Sequence, residues 1–246
     1  MICKNCGQEA EGNYCSHCGQ STGVGKLTAS GFFRELFDNT FQLNRGLFFT
    51  MRELLLRPGS SMREYLAGKR KSHIKPVAFV LALSTLYFLA SRITGVNTLL
   101  DDAAVGFTNA SADFPIPLAI DWFIENYAYT TLLLLPFFSL LTRLTFFRSK
   151  TTYIEHLALN TYITGEQTAI YLLFTVVRGF IESNFLELAG MALAISFNFY
   201  VFLSFFHGNR LLNFLAVALA YILYLLLFVG LILGILAIQY YLSGGN

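Results

Sequence analysis

Charge is scarce in this chain. Only 13% of its 246 residues are Asp, Glu, Lys or Arg, about half the share of an ordinary soluble domain. Cysteine is absent beyond residue 18, so thiol chemistry is confined to the N-terminal tip, and tryptophan occurs once. No Lys or Arg lies between residues 95 and 126, although that stretch holds five acids: Asp101, Asp102, Asp113, Asp121 and Glu125. No nucleophile elbow, phosphate-cradling glycine loop, H-E-x-x-H or catalytic dyad of known spacing occurs, which argues against soluble-enzyme chemistry.

What is present is apolar: 55% of the residues are hydrophobic and 16% aromatic. Apolar stretches long enough for the hydrocarbon core recur through the C-terminal two-thirds. The expected fold class is an all-α polytopic membrane protein with about five transmembrane helices, near 77–93, 127–147, 153–177, 188–206 and 211–242. Pro136 is expected to kink the second. The last segment is long enough to be one protruding helix or two spans broken near Gly230; the lack of a polar turn favours one. Residues 1–76 hold eleven Lys/Arg against six acids. Basic segments stay inside, so the N-terminus is expected in the cytoplasm, the acidic stretch 95–126 outside, and the C-terminus outside. No signal-type n-region and h-region stand before residue 77, so the first span is expected to serve as an uncleaved targeting signal.

The four cysteines form two knuckles, Cys3-Lys4-Asn5-Cys6-Gly7-Gln8 and Cys15-Ser16-His17-Cys18-Gly19-Gln20. Each C-x-x-C-G turn points two sulfurs at one ion, and two such turns complete a tetrahedron. Residues 1–20 are therefore expected to be a zinc ribbon with Cys3, Cys6, Cys15 and Cys18 as ligands and His17 as a bystander. Four protein ligands leave no open position, so the Zn2+ is structural and the ribbon is a docking head for a protein partner. Within the ribbon Lys4 is the sole cation, too little for a phosphate-driven nucleic-acid footprint.

Residues 21–29 read as a linker and 30–76 as interfacial helices with a basic juxtamembrane segment. From Ser30 to Leu56 apolar residues recur at helical spacing, with Arg34, Arg45 and Arg52 on the other side, as in an amphipathic helix lying in the headgroup plane. Arg57-Pro58-Gly59 ends it, and a second short helix runs to about Ala67. Arg63, Lys69, Arg70, Lys71 and Lys75 then gather at the mouth of the bundle. Beyond anchoring by the positive-inside rule, they are candidates for anionic lipid headgroups, at about 1 kcal/mol per cation.

The third span carries Glu155, His156, Asn160 and Glu166, a candidate intramembrane polar site. Glu155 and His156 lie near its cytoplasmic end. Glu166 lies mid-helix, where a carboxyl is costly unless it faces the bundle interior. The structural alternative is packing glue, the reading preferred for Asn198, Tyr200, Ser204, Tyr221 and Tyr224 as well. Gly230–Gly234 spells G-x-x-x-G, which permits close helix approach within the bundle or between copies. Trp122 with Tyr127 and Tyr129 suits an outer aromatic belt, and Asn109-Ala110-Ser111 is a chance-level glycosylation acceptor.

The stretch Arg45-Gly46-Leu47…Thr50…Leu54…Arg57-Pro58-Gly59…Tyr65-Leu66-Ala67-Gly68-Lys69-Arg70…Pro76, followed by Tyr153-Ile154-Glu155-His156-Leu157, resembles a bacterial family of multispanning inner-membrane proteins known only as a domain of unknown function. The resemblance implies a bacterial inner membrane, a zinc-ribbon head and no assigned activity. The chain departs from the family pattern downstream of Glu155-His156-Leu157, at Asn160 and Tyr162. Three functions follow as expectations. The first is a non-enzymatic membrane adaptor docked through the ribbon. The second is a small ion- or proton-coupled transporter using Glu166. The third is a lipid-modifying enzyme using Glu155 and His156.

Overall fold

The computed structural model of the chain describes residues 1–32, 46–96, 127–181 and 183–242. The first part of the expected amphipathic run (33–45), the acidic stretch 97–126 with Trp122 and Asn109, and Glu182 lie outside the described residues.

Among the described residues the regular elements are helices: α1 (Gly46–Leu56), α2 (Pro58–Ala67), α3 (Pro76–Thr94), α4 (Tyr127–Thr145), α5 (Tyr153–Arg178), α6 (Asn184–Phe205) and α7 (Arg210–Leu242). Three stretches, Pro76–Thr94, Phe185–Phe205 and Arg210–Leu231, are long and apolar enough to cross a bilayer, and Leu132–Thr145 is a shorter apolar helix. By these helices the chain is a membrane protein. A helix also stands at the third expected segment, α5, whose polar residues set it apart from the three. α7 runs unbroken through Gly230 for 33 residues, about 50 Å of helix.

Local chemistry sets the helix ends. Pro58 and Pro76 occupy the first turns of α2 and α3, where the missing N–H has no intrahelical use. Gly68 closes α2 at φ +113°, and the amides of Gly68 and Lys69 return to the carbonyls of Tyr65 and Glu64. α5 begins with a reciprocal cap: Thr152 Oγ1 accepts the Glu155 amide and Glu155 Oε2 accepts the Thr152 amide.

The core lies between α3 and α5, which run side by side in the same direction. Phe79 meets Tyr162 and Tyr87 meets Tyr171, with ring centroids 5.7 and 6.5 Å apart. Gly165 makes room for Phe79, since a methyl there would lie 2.4 Å from the ring. Close approach of this kind is how helices associate in lipid, where burial of apolar surface drives little. The segment entering α3 is fixed from both sides. Thr50 Oγ1 accepts the Ile74 amide (3.0 Å), and Tyr162 donates to the Ile74 carbonyl (2.5 Å).

The α1–α2 hairpin closes the lower end of α6. The last carbonyls of a helix have no partner within it. Here Arg63 Nη1 donates to Ser204 O and Phe205 O, both at 2.8 Å, a cation at the negative end of the helix dipole. Gly59 lets the two backbones touch, for a methyl at that position would sit 2.1 Å from Ser204 O. The Arg57-Pro58-Gly59 turn and Arg63 thus act as one cap on a transmembrane helix.

His73 is held beneath the same hairpin. Its Nε2 bonds Ser61 Oγ at 2.9 Å, and its ring lies edge-on to Phe49 and Tyr65 at 5.2 and 5.8 Å. Burial holds the imidazole below its ordinary value, outweighing the opposing pull of Glu53 and Glu64. Protonation therefore favours the unfolded chain: stability is complete above the unfolded pKa of about 6.5 and falls as pH drops below it.

Gly59→Ala forces the α2 backbone off the end of α6. Thermal unfolding of the purified protein is expected to show a loss of about 3 kcal/mol, the upper range for an overpacked site. His73→Asn, unfolded across pH 5 to 8, is expected to flatten part of the acid-side decline shown by the parent protein. An unchanged slope contradicts the assignment.

Candidate metal centre and buried polar face

The ribbon is an internal repeat with an offset of twelve residues. Cys3 N donates to Gln8 O and Cys15 N to Gln20 O, each at 2.8 Å; Gly7 N donates to Cys3 O (2.9 Å) and Gly19 N to Cys15 O (2.8 Å). Gly7 and Gly19 take φ of +76° and +69°, a conformation that favours glycine and that turns each chain back after its second cysteine. Ile2 pairs with Glu9 and Tyr14 with Ser21 at equivalent places.

These turns bring the four sulfurs within 4.8 Å of one another. Cys3 and Cys18 Sγ are 3.6 Å apart, as are Cys6 and Cys15 Sγ. A disulfide needs about 2.05 Å, whereas sulfurs around a tetrahedral zinc at about 2.3 Å are separated by about 3.8 Å. The donor set therefore fits a metal ion, and all four cysteines are free thiols. Amides of Cys6 and Asn5 aimed at Cys3 hold its thiol at about 6. Amides of Cys18 and His17 lower Cys15 likewise. The Gln8 amide pulls Cys6 down too, but burial and the neighbouring thiols push it up to about 12. Four like charges cannot share this space unaided, and a divalent cation is what would balance them. With four protein ligands its shell would be closed, so its role would be structural.

The second knuckle is seated on the basic turn after α2. Gln20, only 4% exposed, donates from Nε2 to Gly68 O (2.9 Å), and its Oε1 accepts the amides of Arg70 (3.0 Å) and Lys71 (3.1 Å). Lys4 Nζ donates to Val24 O at 2.7 Å. Leu27 and Phe32 are buried with Val77, Leu135, Leu157 and Ala158, so the segment 21–32 follows the bundle surface.

The candidate headgroup cations are placed unequally. Arg63 caps α6. Arg70 donates to Tyr65 O and Gly25 O and lies 5.2 Å above the Tyr65 ring. Lys69 pairs with Glu64 at 3.5 Å. Lys71 is exposed beside Gly19, and Lys75 is half-buried where α3 begins.

The candidate polar residues of α5 separate into three groups. Glu155 belongs to the helix cap. His156 and Asn160 are buried against α4 and share one hydroxyl. Thr142 Oγ1 directs its proton to Ser139 O (3.0 Å), so it accepts from Asn160 Nδ2 (3.0 Å) and from His156 Nδ1 (3.1 Å). The other ring nitrogen, Nε2, is 2.9 Å from Thr151 Oγ1. Asn160 Nδ2 also reaches Ser139 Oγ (3.2 Å), and the imidazole stacks on Phe206 with centroids 5.5 Å apart. With both nitrogens engaged by hydroxyls, His156 can ligate a metal or shuttle a proton only by breaking the α4–α5 contact. Glu166 stands apart, one turn beyond Tyr162 on the same side of α5. It is fully buried, and neither carboxyl oxygen has a hydrogen-bond partner among the described residues.

Residues 44–88 match a family model described as "Protein of unknown function (DUF3667)". No curated protein and no solved structure is similar to the chain at a significant level. The matched stretch runs from the start of α1 into α3. It contains Thr50, Gly59, Arg63, Gly68 and Ile74, the residues that hold the hairpin, the end of α6 and the entry to α3 together.

Sequence reasoning found the cysteines and the Arg57-Pro58-Gly59 break, but not the contacts of Gln20 with the Gly68 turn and of Gly59 with α6, nor the Ser139–Thr142 pair. Gln20 had a signal in the repeated C-G-Q. Serine and threonine in an apolar helix carry none, because their partner is set by helix packing.

Purified under reducing conditions, the protein is expected to carry about one equivalent of tightly bound divalent metal per chain. Cys15→Ser is expected to lose the metal and to render residues 21–28 readily cleaved by protease. A metal-free protein that resists protease equally well contradicts the site.

Proposed function

We propose that the chain is a membrane scaffold or adaptor of the bacterial inner membrane, with a structural zinc ribbon on its cytoplasmic face and five passes that leave the C-terminus outside. The charge asymmetry supports the orientation, with eleven Lys/Arg against six acids in residues 1–76 and five acids without a cation in 95–126. The apolar stripe Phe48, Leu55 and Leu56, exposed on α1 beside Arg52, supports an interfacial helix with that face toward lipid. Lys69, Lys71 and Lys75 are the cations proposed to meet anionic headgroups.

The observation that carries the adaptor reading is the closed tetrathiolate set, read beside a polar face whose His156 and Asn160 serve helix packing. Neither offers an open coordination position or a poised acid–base pair. Glu155, engaged in its helix cap, does not supply one. Homo-oligomers fit this reading, as Gly230 and Gly234 have no neighbour within 4 Å of an added methyl among the described residues.

A second reading, a proton- or ion-coupled transporter, is favoured by Glu166. A fully buried carboxyl with no hydrogen-bond partner among the described residues is costly in lipid, and such groups mark ion paths.

Deletion of residues 1–20 separates the two. Solubilised gently from native membranes, the intact chain is expected to retain a stoichiometric partner that the ribbon-less chain loses, although both insert normally. A ribbon-less chain with its partners and function intact overturns the adaptor reading. Loss of cation or proton flux from proteoliposomes in Glu166→Gln alone establishes the transporter.

A further inference from the structure

The two knuckles are equivalent in backbone but not in surroundings. Gln20 is buried on the Gly68 turn, and Lys71 lies 3.5 Å from the position a methyl on Gly19 would take. Gln8, its counterpart twelve residues earlier, is exposed, and its side-chain amide has no hydrogen-bond partner among the described residues. A methyl on Gly7 would meet nothing within 4 Å. The first knuckle therefore offers, unoccupied, the backbone-reading edge that the second knuckle uses.

The partner chemistry can be read from the occupied edge. Gln20 reads the carbonyl of a glycine at φ +113° and the amides two and three residues later, in a turn with the sequence Gly68-Lys69-Arg70-Lys71. Among the described residues one other glycine has a φ above 100°: Gly208, at +118°. It opens Gly208-Asn209-Arg210-Leu211, again with arginine two residues on. All four residues are exposed, and nothing lies within 4 Å of a methyl built on Gly208. The turn follows directly on the end of α6 that Arg63 caps, so it lies on the same face of the bundle as the hairpin and its basic turn. Leu211 N is already taken by Asn209 Oδ1 at 2.8 Å, which leaves the Gly208 carbonyl and the Arg210 amide for an incoming glutamine.

Charge agrees. Gln8 is flanked by exposed Glu9 and Glu11, and the turn presents exposed Arg210 with His207 beside it. Opposite charges across such a contact favour encounter and fix its register.

We propose that the first knuckle docks on the Gly208–Leu211 turn of a second copy of this chain, with Gln8 bonded to the Gly208 carbonyl and the Arg210 amide and with Glu9 and Glu11 facing Arg210. Because each copy carries both surfaces, a two-fold dimer makes the contact twice. The proposal rests on the adaptor reading of the ribbon and names a partner for it.

The test uses the full-length, metal-loaded protein in native membranes, with benzoylphenylalanine in place of Gln8 and two copies distinguished by isotope label. Irradiation is expected to join position 8 of one copy to residues 205–212 of the other. The same probe at position 20 is expected to react within its own chain, at residues 68–71. In nanodiscs at matched metal content, Glu9→Lys with Glu11→Lys is expected to weaken the dimer about tenfold, the scale of one lost charge-assisted contact. Adding Arg210→Glu is expected to restore it. Position-8 crosslinks that fall within one chain, or a monomer at every concentration, overturn the proposal. So does a dimer indifferent to the charge exchange. A crosslink from position 8 to another protein also overturns self-docking yet leaves the adaptor reading standing; that reading fails only on the ribbon deletion.

Discussion

Between Gly68 and Pro76 the chain passes from hairpin to membrane without forming helix or strand, so its buried peptide groups must find partners elsewhere. Three side chains from three parts of the molecule supply them. Gln20 of the ribbon holds Gly68, Arg70 and Lys71; Thr50 of α1 holds the Ile74 amide; Tyr162 of α5 holds the Ile74 carbonyl. An unpaired buried peptide group costs about 1–3 kcal/mol, so loss of any one of these contacts is felt where α3 begins. Through this short segment the ribbon, the hairpin and the first apolar helix are one mechanical unit. A metal-ordered ribbon is then an internal part of the membrane protein, and its fold determines how the basic turn is presented.

The same hairpin reaches the other side of the bundle through Gly59 and Arg63. A bare helix end in lipid or at its edge leaves carbonyls that neither the helix nor the hydrocarbon can satisfy. Arginine suits the task because one terminal nitrogen carries two N–H groups, enough for both carbonyls, and the guanidinium stays charged. Glycine is required because a backbone, not a side chain, lies opposite. Residues 44–88, the stretch that the family model matches, carry this cap together with Thr50 and Ile74.

The parts of the fold legible in the sequence were those written in long apolar runs and in punctuation. The positions of α3, α6 and α7 followed from hydrophobic length, the hairpin break from Arg57-Pro58-Gly59, and the sulfur cluster from paired C-x-x-C-G-Q. What was not legible was contact between elements distant in sequence. Arg63 reads as one more interfacial cation until α6 ends against it, 141 residues later. Gln20 reads as a turn residue until the Gly68 loop is placed beneath it. Charge count therefore overstated the basic cluster as a uniform surface, since Arg63 and Arg70 serve backbone carbonyls. Similarly, their shared place at one end of α5 grouped Glu155 with His156, whereas the helix cap and the α4 hydroxyls draw them apart.

The contrast between His156 and Glu166 turns on which groups the opposing helix provides. Opposite His156 and Asn160, α4 supplies Ser139 and Thr142, short hydroxyls that donate to their own backbone and accept from the partner, and the cluster becomes adhesion between helices. On the side of α5 that carries Tyr162 and Glu166, Tyr162 meets the Phe79 ring, with centroids 5.7 Å apart. No comparable donor reaches the carboxyl among the described residues. A side chain kept for packing alone would be cheaper as leucine at that depth. The histidine is therefore accounted for by the fold, and the glutamate is not. If the bundle has a function beyond holding the ribbon in place, Glu166 is where the physical argument locates it.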